Sequence, residues 1–223
     1  MEFQRNPEFE QFLLESMWKS MAEPDRHQPS VTGMIHCLTK TYYENAYTVD
    51  GSRVPDKGLL LLFATGLGLE KVVLNDIQRT ESGVFDGISY HMDHFGGAED
   101  FIEFKSTRLS TKSAPDNYSL QWMRQTMSYM HIKGITKGRF VALHLMGSYQ
   151  PPFPDLIAWD IVATQEELDL NWQWMEMRRD TYAEYVEAGE APPPFTYNED
   201  WECGQAKGQQ PCTWLMICKE RAK

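Results

Sequence analysis

Residues 87–106 of the chain read GISYHMDHFGGAEDFIEFKS, and this segment carries the strongest structural pattern of the sequence. Two strand-like runs, Gly87 to Phe95 and Phe101 to Ser106, flank a short segment rich in glycine and acidic residues, which is typical of a turn. The stretch therefore predicts a β-hairpin. Because side chains alternate along a strand, Glu103 and Lys105 are expected on the same face of the second strand.

Polar side chains of this hairpin are arranged as a candidate metal site. Asp93 lies on the partner strand, so its carboxylate is expected to approach that of Glu103, beside the amine of Lys105. Carboxylate oxygens suit Mg²⁺ or Mn²⁺, and the backbone carbonyl of Phe104 could add a ligand. A bound metal would polarise a scissile phosphate and activate water, while Lys105 would orient that water or stabilise the transition state. A surface cross-strand salt bridge is the alternative.

Asp86 competes with Asp93 for the metal position. Asp93 is preferred because a short hairpin connection then joins it to Glu103. Asp86 would need a much longer loop or a bulge.

The flanking sequence predicts helices on both sides of a short mixed sheet, which is an α/β architecture. Two helices are predicted from periodicity, over Pro7 to Met21 and Leu59 to Val73. A helix capped by Ser30 runs through Cys37 to about Tyr47, and one capped by Asp116 or Asn117 runs to about Ile132. The last spans Thr164 to Ala188 and begins with a Thr164–Glu167 capping box. The predicted further strands are Arg139 to Met146 and Leu156 to Val162.

Charge is distributed unevenly along the chain. With 32 acidic and 21 basic residues, the net charge of −11 argues globally against a nucleic-acid binder. The segment from Lys105 to Arg139, however, holds seven basic residues and one acid, whereas residues 164–202 hold eleven acids and two arginines. Arg108 and Lys112, which directly follow the Lys105 strand, are candidate phosphate contacts. A basic groove on an acidic body is one interpretation, and a solvated charge mosaic is the other.

An ordered set of motifs gives the chain a resemblance to a known group of enzymes. Asp93 is followed by Glu103-Phe104-Lys105-Ser106-Thr107 and then by Gln125-Thr126-Met127-Ser128-Tyr129. This order resembles that of the RecB-like nucleases in the PD-(D/E)xK superfamily. The resemblance implies a restriction-endonuclease-like core with catalytic roles for Asp93, Glu103 and Lys105. It also implies that Gln125 and Tyr129, at i and i+4 on one helix face, support the active site and DNA.

One earlier motif departs from the pattern of these nucleases. Where they usually carry Gly-x-x-x-His, this chain has Gly66-Leu67-Gly68-Leu69-Glu70. Glutamate can still hold a metal ion or its water, so Glu70 is expected at the metal site with Asp93, Glu103 and the Phe104 carbonyl. A solvent-facing helix charge is the alternative for Glu70.

The cysteines bracket the predicted core, with Cys37 before it and Cys203, Cys212 and Cys218 after it. This placement resembles that of the iron–sulfur nucleases, most closely the fourth CRISPR-associated (Cas) protein family, and it implies a [4Fe–4S] cluster on four thiolates. Cys203-x₈-Cys212 stands where the family usually has a Cys-x₂-Cys pair, and zinc is the alternative at a Cys₄ site. Four unrelated buried cysteines are the structural alternative.

The expected organisation has three parts. Residues 1–50 form an N-terminal helical segment with the first cluster cysteine, residues 51–190 form the nuclease core, and residues 191–223 form a C-terminal segment that closes the cluster after the proline-rich run 191–194. The terminal segments would thus be joined at the cysteine cluster.

The resemblance implies a Mg²⁺- or Mn²⁺-dependent exonuclease that hydrolyses phosphodiester bonds at DNA ends, with single-stranded ends favoured. Its setting would be CRISPR spacer acquisition, with the CRISPR integrase complex as partner, or DNA recombination and repair with a recombination partner. The alternative, favoured by the net charge and the Gly-x-x-x-Glu departure, is a catalytically weak iron–sulfur or zinc module that binds DNA or a partner. No apolar run is long enough to span a bilayer and the first residues lack a signal-peptide pattern, so a cytoplasmic location without membrane contact is expected.

Overall fold

The computed structural model describes residues 5–21, 29–47, 57–151, 153–204 and 211–223. Along these residues, four helices come first, four strands follow them, and the rest of the chain mixes the two types. The order is α1 (Pro7–Met21), α2 (Val31–Ile35), α3 (Leu38–Tyr47), α4 (Lys57–Val73), β1 (Glu81–Phe85), β2 (Ile88–Met92), β3 (His94–Gly97), β4 (Asp100–Thr107), α5 (Leu120–Lys133), β5 (Lys137–His144), β6 (Asp155–Val162), α6 (Gln165–Glu187) and α7 (Leu215–Arg221). None of the helices in these ranges is both long and apolar enough to cross a membrane.

The strands form two sheets. β1 and β2 make an antiparallel pair, and the larger sheet has the order β3-β4-β5-β6. In the larger sheet β4 and β5 run parallel, with Glu103 opposite Phe140 and Lys105 opposite Ala142, while the outer pairs are antiparallel. A short mixed sheet flanked by helices is the architecture that the sequence predicts, so the α/β fold class is confirmed.

The strand predicted from Gly87 to Phe95 is divided at Asp93. β2 pairs with β1, whereas β3 pairs with β4, where His94 lies opposite Ile102. Continuing this antiparallel register by one residue places Asp93 opposite Glu103. The predicted hairpin is therefore present, but Asp93 lies at the junction between the two sheets rather than inside a strand.

The second predicted helix is interrupted at His36 and Cys37, because other groups take the carbonyls that would continue it. The Arg178 guanidinium donates to the carbonyls of Met34 and His36, at 2.5 Å for His36. The Leu38 N–H donates to a carbonyl outside the helix, that of Tyr197, at 3.4 Å. A helix lacking its i to i+4 bonds at this point divides in two.

Local capping fixes the long helices. Thr164 and Glu167 form the predicted capping box at the start of α6. At the start of α5, Ser119 accepts the N–H of Trp122, so the cap lies two residues beyond the predicted Asn117. Gly134 ends α5 in the left-handed conformation, with φ of 62°, which a glycine adopts without strain.

The core lies on both faces of the larger sheet. Ile102 and Phe104 of β4 pack with Leu74, which follows α4, on one face. Phe101 packs against Tyr129 of α5 on the other face, with ring centroids 6.5 Å apart. By alternation, Glu103 and Lys105 share the Phe101 face.

The segment after α6 packs against the N-terminal helices. The Thr39 hydroxyl donates to the carbonyls of Pro192 and Pro193 at 3.2 Å, and Arg221 of α7 donates to the carbonyl of Ala191 at 2.7 Å. The C-terminal segment is therefore held against α3. The predicted limits of the three parts stay predictions, and the limit near residue 50 falls outside the described residues.

Candidate active site

Glu103 and Lys105 stand side by side on β4. Glu103 is 0% exposed, although an ionisable side chain is rarely fully buried without a full set of partners. The Lys105 ammonium donates to Oε1 of Glu103. Oε2 of the same carboxylate is buried and has no hydrogen-bond partner among the described residues. Half of this carboxylate is therefore left without a compensating donor or cation.

Asp93 is held against the same strand by a backbone contact. Its Oδ2 accepts the N–H of Phe104, the residue between Glu103 and Lys105, at 2.8 Å, which fixes the aspartate beside β4. Burial raises the pKa of Asp93, while the Lys105 charge and the Phe104 N–H act in the opposite direction. The charge of Asp93 in turn acts on Glu103.

Glu70, on the last turn of α4, brings a further carboxylate to the group. Burial, followed by the charge of Asp93, raises its pKa to about 7, and Lys105 opposes that rise. The Gln78 side-chain amide donates to Glu70 Oε1 at 2.7 Å and thereby orients the carboxylate. Gln78 is a site residue that the sequence reasoning missed, because a single amide in a loop after a helix carries no periodic signal.

The carboxylates outnumber the cation at this site. Burial and the charge of Asp93 raise the pKa of Glu103 to about 8, although Lys105 lowers it. Burial alone would lower the pKa of Lys105, but Glu103 and Asp93 hold it above its ordinary value. One ammonium thus faces the carboxylates of Glu70, Asp93 and Glu103, which favours uptake of additional positive charge.

Helix α5 adds a buried hydroxyl beside the carboxylates. The Gln125 side-chain amide donates to the Tyr129 hydroxyl at 3.0 Å, so the two predicted helix residues contact each other directly. Burial and the charge of Glu103 raise the pKa of Tyr129 well above its ordinary value. Tyr129 therefore remains a neutral hydroxyl in the physiological range.

The structure brings all the predicted catalytic side chains to one place; they are Glu70, Asp93, Glu103, Lys105, Gln125 and Tyr129. Asp86 lies elsewhere, in the turn between β1 and β2, with φ of 46°. Its carboxylate accepts the indole N–H of Trp172 at 3.2 Å. His91 lies near Asp93 electrostatically, but its Nδ1 is paired with the Ser82 hydroxyl at 2.6 Å.

The donor set at this site fits a hard divalent cation. Carboxylate oxygens are the preferred ligands of Mg²⁺ and Mn²⁺, and the partnerless Glu103 Oε2 is a buried acceptor that a cation would satisfy. As they stand, the side chains of the described ranges include no group of three or more His, Cys, Asp or Glu gathered to hold a metal ion. Lys105 neutralises part of the negative charge of the carboxylates of this site. A ligand role for the Phe104 carbonyl stays a prediction.

Cys37 lies far in sequence from the three C-terminal cysteines, yet its charge acts on Cys218, as do those of Cys203 and Cys212. Cys37, Cys203, Cys212 and Cys218 are all thiols. Burial, together with the charges of the three other cysteines, raises the pKa of Cys218 to about 11. The Glu202 carboxylate accepts the Cys37 N–H at 3.0 Å. Four soft ligands in mutual electrostatic range fit an iron–sulfur or zinc site by their chemistry, and the bound group itself stays a prediction.

Comparison with known proteins places the fold. No protein-family model and no curated protein matches the chain. The crystal structure of SSO0001 is similar over 96% of this chain and 97% of that chain, with a TM-score of 0.57 and 18% identity. At this identity the similarity shows a shared fold alone.

Two exonucleases are more distant from this chain. The phage-related exonuclease from Haemophilus somnus 129PT has a TM-score of 0.47 and 11% identity over 73% of this chain and 96% of its own. The alkaline exonuclease from Laribacter hongkongensis has a TM-score of 0.44 and 10% identity over 78% of this chain and 97% of its own. These similarities are too low to carry a functional inference.

Proposed function

We propose that the chain is a metal-dependent deoxyribonuclease that hydrolyses phosphodiester bonds at DNA ends, with single-stranded ends favoured. One observation carries this proposal. The carboxylate of Glu103 is fully buried with one oxygen lacking a partner, within a group of three carboxylates that holds a single ammonium. Such a charge imbalance in a water-poor site is costly unless a carboxylate takes up a proton or a cation enters.

Glu70, Asp93 and Glu103 would hold Mg²⁺ or Mn²⁺, with the carbonyl of Phe104 as a further oxygen ligand. When bound, the metal supplies Lewis-acid polarisation of a phosphate oxygen and lowers the pKa of bound water. It would also take over from Lys105 part of the task of neutralising Glu103. These residues are the hard oxygen donors that such cations prefer.

The remaining side chains have roles that follow from their charge and contacts. Lys105 keeps its proton because the carboxylates raise its pKa, so it serves as a cation that stabilises developing negative charge or orients the attacking water. Tyr129 keeps its proton as well, so it acts as a neutral hydroxyl fixed by Gln125. Gln78 holds Glu70 in place.

DNA would approach along the basic segment that follows β4. Arg108 and Lys112 are exposed there, and the backbone around Arg108 is anchored because the Tyr149 hydroxyl donates to its carbonyl at 2.8 Å. Exposed cations on a short anchored loop suit contacts to backbone phosphates. CRISPR spacer acquisition, with the integrase complex as partner, and DNA recombination are the two settings that we propose for this activity.

We further propose that the four cysteines hold a [4Fe–4S] cluster, with zinc as the alternative metal. Their ligand count, and the electrostatic interaction of Cys218 with each of the three other cysteines, support this assignment. The group would join Cys37 to the C-terminal segment and so restrain the two ends of the chain.

The decisive experiment for activity is degradation of end-labelled single-stranded DNA in the presence of Mn²⁺. Wild-type protein should shorten the substrate, and Lys105→Ala and Glu103→Ala should each abolish cleavage while the circular dichroism spectrum stays unchanged. Lys19→Ala, an exposed lysine on α1, is the matched control and should cleave as the wild type does. Cleavage that survives both site substitutions would refute the nuclease assignment.

The alternative is a module that binds DNA or a partner without catalysis, and the net charge of −11 favours it. The same assay separates the two candidates. DNA that is bound but remains intact with Mn²⁺ and with Mg²⁺ would establish the non-catalytic module instead.

A further inference from the structure

A cleft lies between α5, α6 and the segment that follows α6. Its cavity volume is about 150 Å³, and its lining combines two guanidinium groups with an indole. The Arg124 guanidinium carbon lies 3.6 Å from the Trp174 ring centroid, and that of Arg178 lies 4.7 Å from the same ring. We call this feature the Arg124–Trp174 cleft.

Arg124 differs from the other arginine of the cleft in what its donors contact. The Arg178 guanidinium is buried and donates to backbone carbonyls, including that of Tyr197 at 3.1 Å. Within the described residues, the half-buried guanidinium of Arg124 makes no hydrogen bond and no ion pair, and its one contact of note is the stacking on Trp174. An arginine presents five N–H donors, so Arg124 offers an oxygen-rich anion a flat surface of unused donors.

A second polar group of the cleft is also incompletely satisfied. The Asn198 amide nitrogen donates to the Glu199 carbonyl at 3.0 Å, yet its Oδ1 is buried and lacks a partner among the described residues. The carboxylates of the lining are Glu199 and Glu202. Glu202 is engaged by His36 at 2.9 Å and by the Cys37 N–H, whereas Glu199 is exposed and its charge acts on Arg124. The cleft thus has donors for an anion and one acceptor for an N–H group.

We propose that the Arg124–Trp174 cleft binds a phosphate group of a nucleic-acid strand that extends from the active site. The ligand assignment rests on the proposed nuclease function, because Arg124 immediately precedes Gln125, whose amide contacts Tyr129 in that site. A strand that contacts both the active site and the cleft has a high effective concentration at the second contact. A free phosphate or mononucleotide lacks that advantage, so a single guanidinium retains it poorly.

The test is equilibrium binding of a fluorescein-labelled single-stranded oligonucleotide, measured by fluorescence anisotropy in EDTA at several KCl concentrations. Arg124→Gln should bind about five- to tenfold more weakly, and the slope of log K against log salt should fall by about 0.7, as expected for one lost phosphate contact on a single strand. Arg124→Lys should keep the wild-type slope. Glu199→Gln should bind the oligonucleotide about two- to fivefold more tightly, because it removes the carboxylate that competes for Arg124.

Arg179→Gln provides the matched control, since this partly buried arginine of α6 loses the same charge but is paired with Asp180 at 2.7 Å. It should bind the oligonucleotide as the wild type does. An unchanged salt slope in Arg124→Gln, unchanged affinity in Glu199→Gln, or an equal loss in Arg179→Gln would each overturn the proposal. Saturation of the cleft by inorganic phosphate or a deoxynucleoside monophosphate, with no effect of Arg124→Gln on the oligonucleotide, would identify a free anion as the ligand and overturn it too.

The binding test of the phosphate site and the cleavage test of the nuclease assignment can fail independently. Binding is measured without metal, so a wild-type protein that binds the strand through Arg124 but cleaves nothing with Mn²⁺ would refute the enzyme and leave the phosphate site standing.

Discussion

Replacing Glu103 by glutamine should stabilise the metal-free protein, although it removes a proposed metal ligand. The pKa of Glu103 is raised from 4.5 to about 8 in the folded chain. A carboxyl with a raised pKa contributes its full stability below its unfolded pKa and loses that contribution as pH rises towards its folded pKa. Stability is therefore lost from about pH 4.5 up to about pH 8. At pH 7, about 2.5 pH units above the unfolded pKa, the loss is about 3 kcal/mol.

Glutamine has nearly the same shape, cannot ionise, and can still accept the hydrogen bond of Lys105. Glu103→Gln should therefore regain about 3 kcal/mol at pH 7 and almost nothing at pH 4. With an ordinary urea m-value, this gain moves the unfolding midpoint up by roughly 1 M. The assay is urea denaturation in EDTA, followed by circular dichroism at both pH values.

The control is Glu184→Gln, which makes the same chemical change at an exposed position of α6 and should leave the midpoint almost unchanged at both pH values. A Glu103→Gln protein that is less stable than the wild type at pH 7 would refute the claim that the carboxylates outnumber their cations. An equal gain at pH 4 and pH 7 would show that packing rather than charge is responsible.

Further predictions concern the metals and helix α5. Because the pKa of Glu103 is about 8 and that of Glu70 about 7, Mn²⁺ binding at pH 7 should release roughly one proton, and Mn²⁺ affinity should rise between pH 6 and pH 8. Calorimetry in buffers of different ionisation enthalpy measures the proton release. Binding without proton release would contradict the prediction. Tyr129→Phe should cost about 1 kcal/mol of unfolding free energy because it leaves the Gln125 amide without its acceptor. A double-mutant cycle with Gln125→Met should show that the two substitutions are coupled. Strictly additive changes in unfolding free energy would contradict the contact. Anaerobically purified wild-type protein should contain iron and sulfide, or zinc, by elemental analysis, and Cys218→Ala should lose most of that metal. Equal metal content in the wild type and in Cys218→Ala would exclude the cysteine site.

Local patterns in the sequence predict several elements and much of the candidate site. The capping residues of α6 and the glycine that ends α5 satisfy backbone groups within a few residues, so their effect is readable without the fold. The alternation of β4 likewise places Glu103 and Lys105 on one face. Proximity of Asp93 follows because a hairpin brings neighbouring strands together over a short distance in sequence.

The features that the sequence did not predict depend on distant contacts. The strand around Asp93 divides because β1, which has only a weak strand pattern, pairs with β2 and draws it out of the larger sheet. The helix through Cys37 divides because Arg178 takes the carbonyls of Met34 and His36 from more than 140 residues away. Gln78 contacts Glu70 from only eight residues away, but a single amide in a loop carries no periodic signal.

The most direct test of the central claim is a titration of the protein with Mn²⁺, followed by electron paramagnetic resonance of the free ion at pH 8. We predict a saturable Mn²⁺ site in the wild type that is lost or weakened at least about tenfold in Asp93→Asn and in Glu103→Gln, while the Glu184→Gln control binds as the wild type does. Equal Mn²⁺ affinity in all four proteins would contradict the claim that these two buried carboxylates hold the metal.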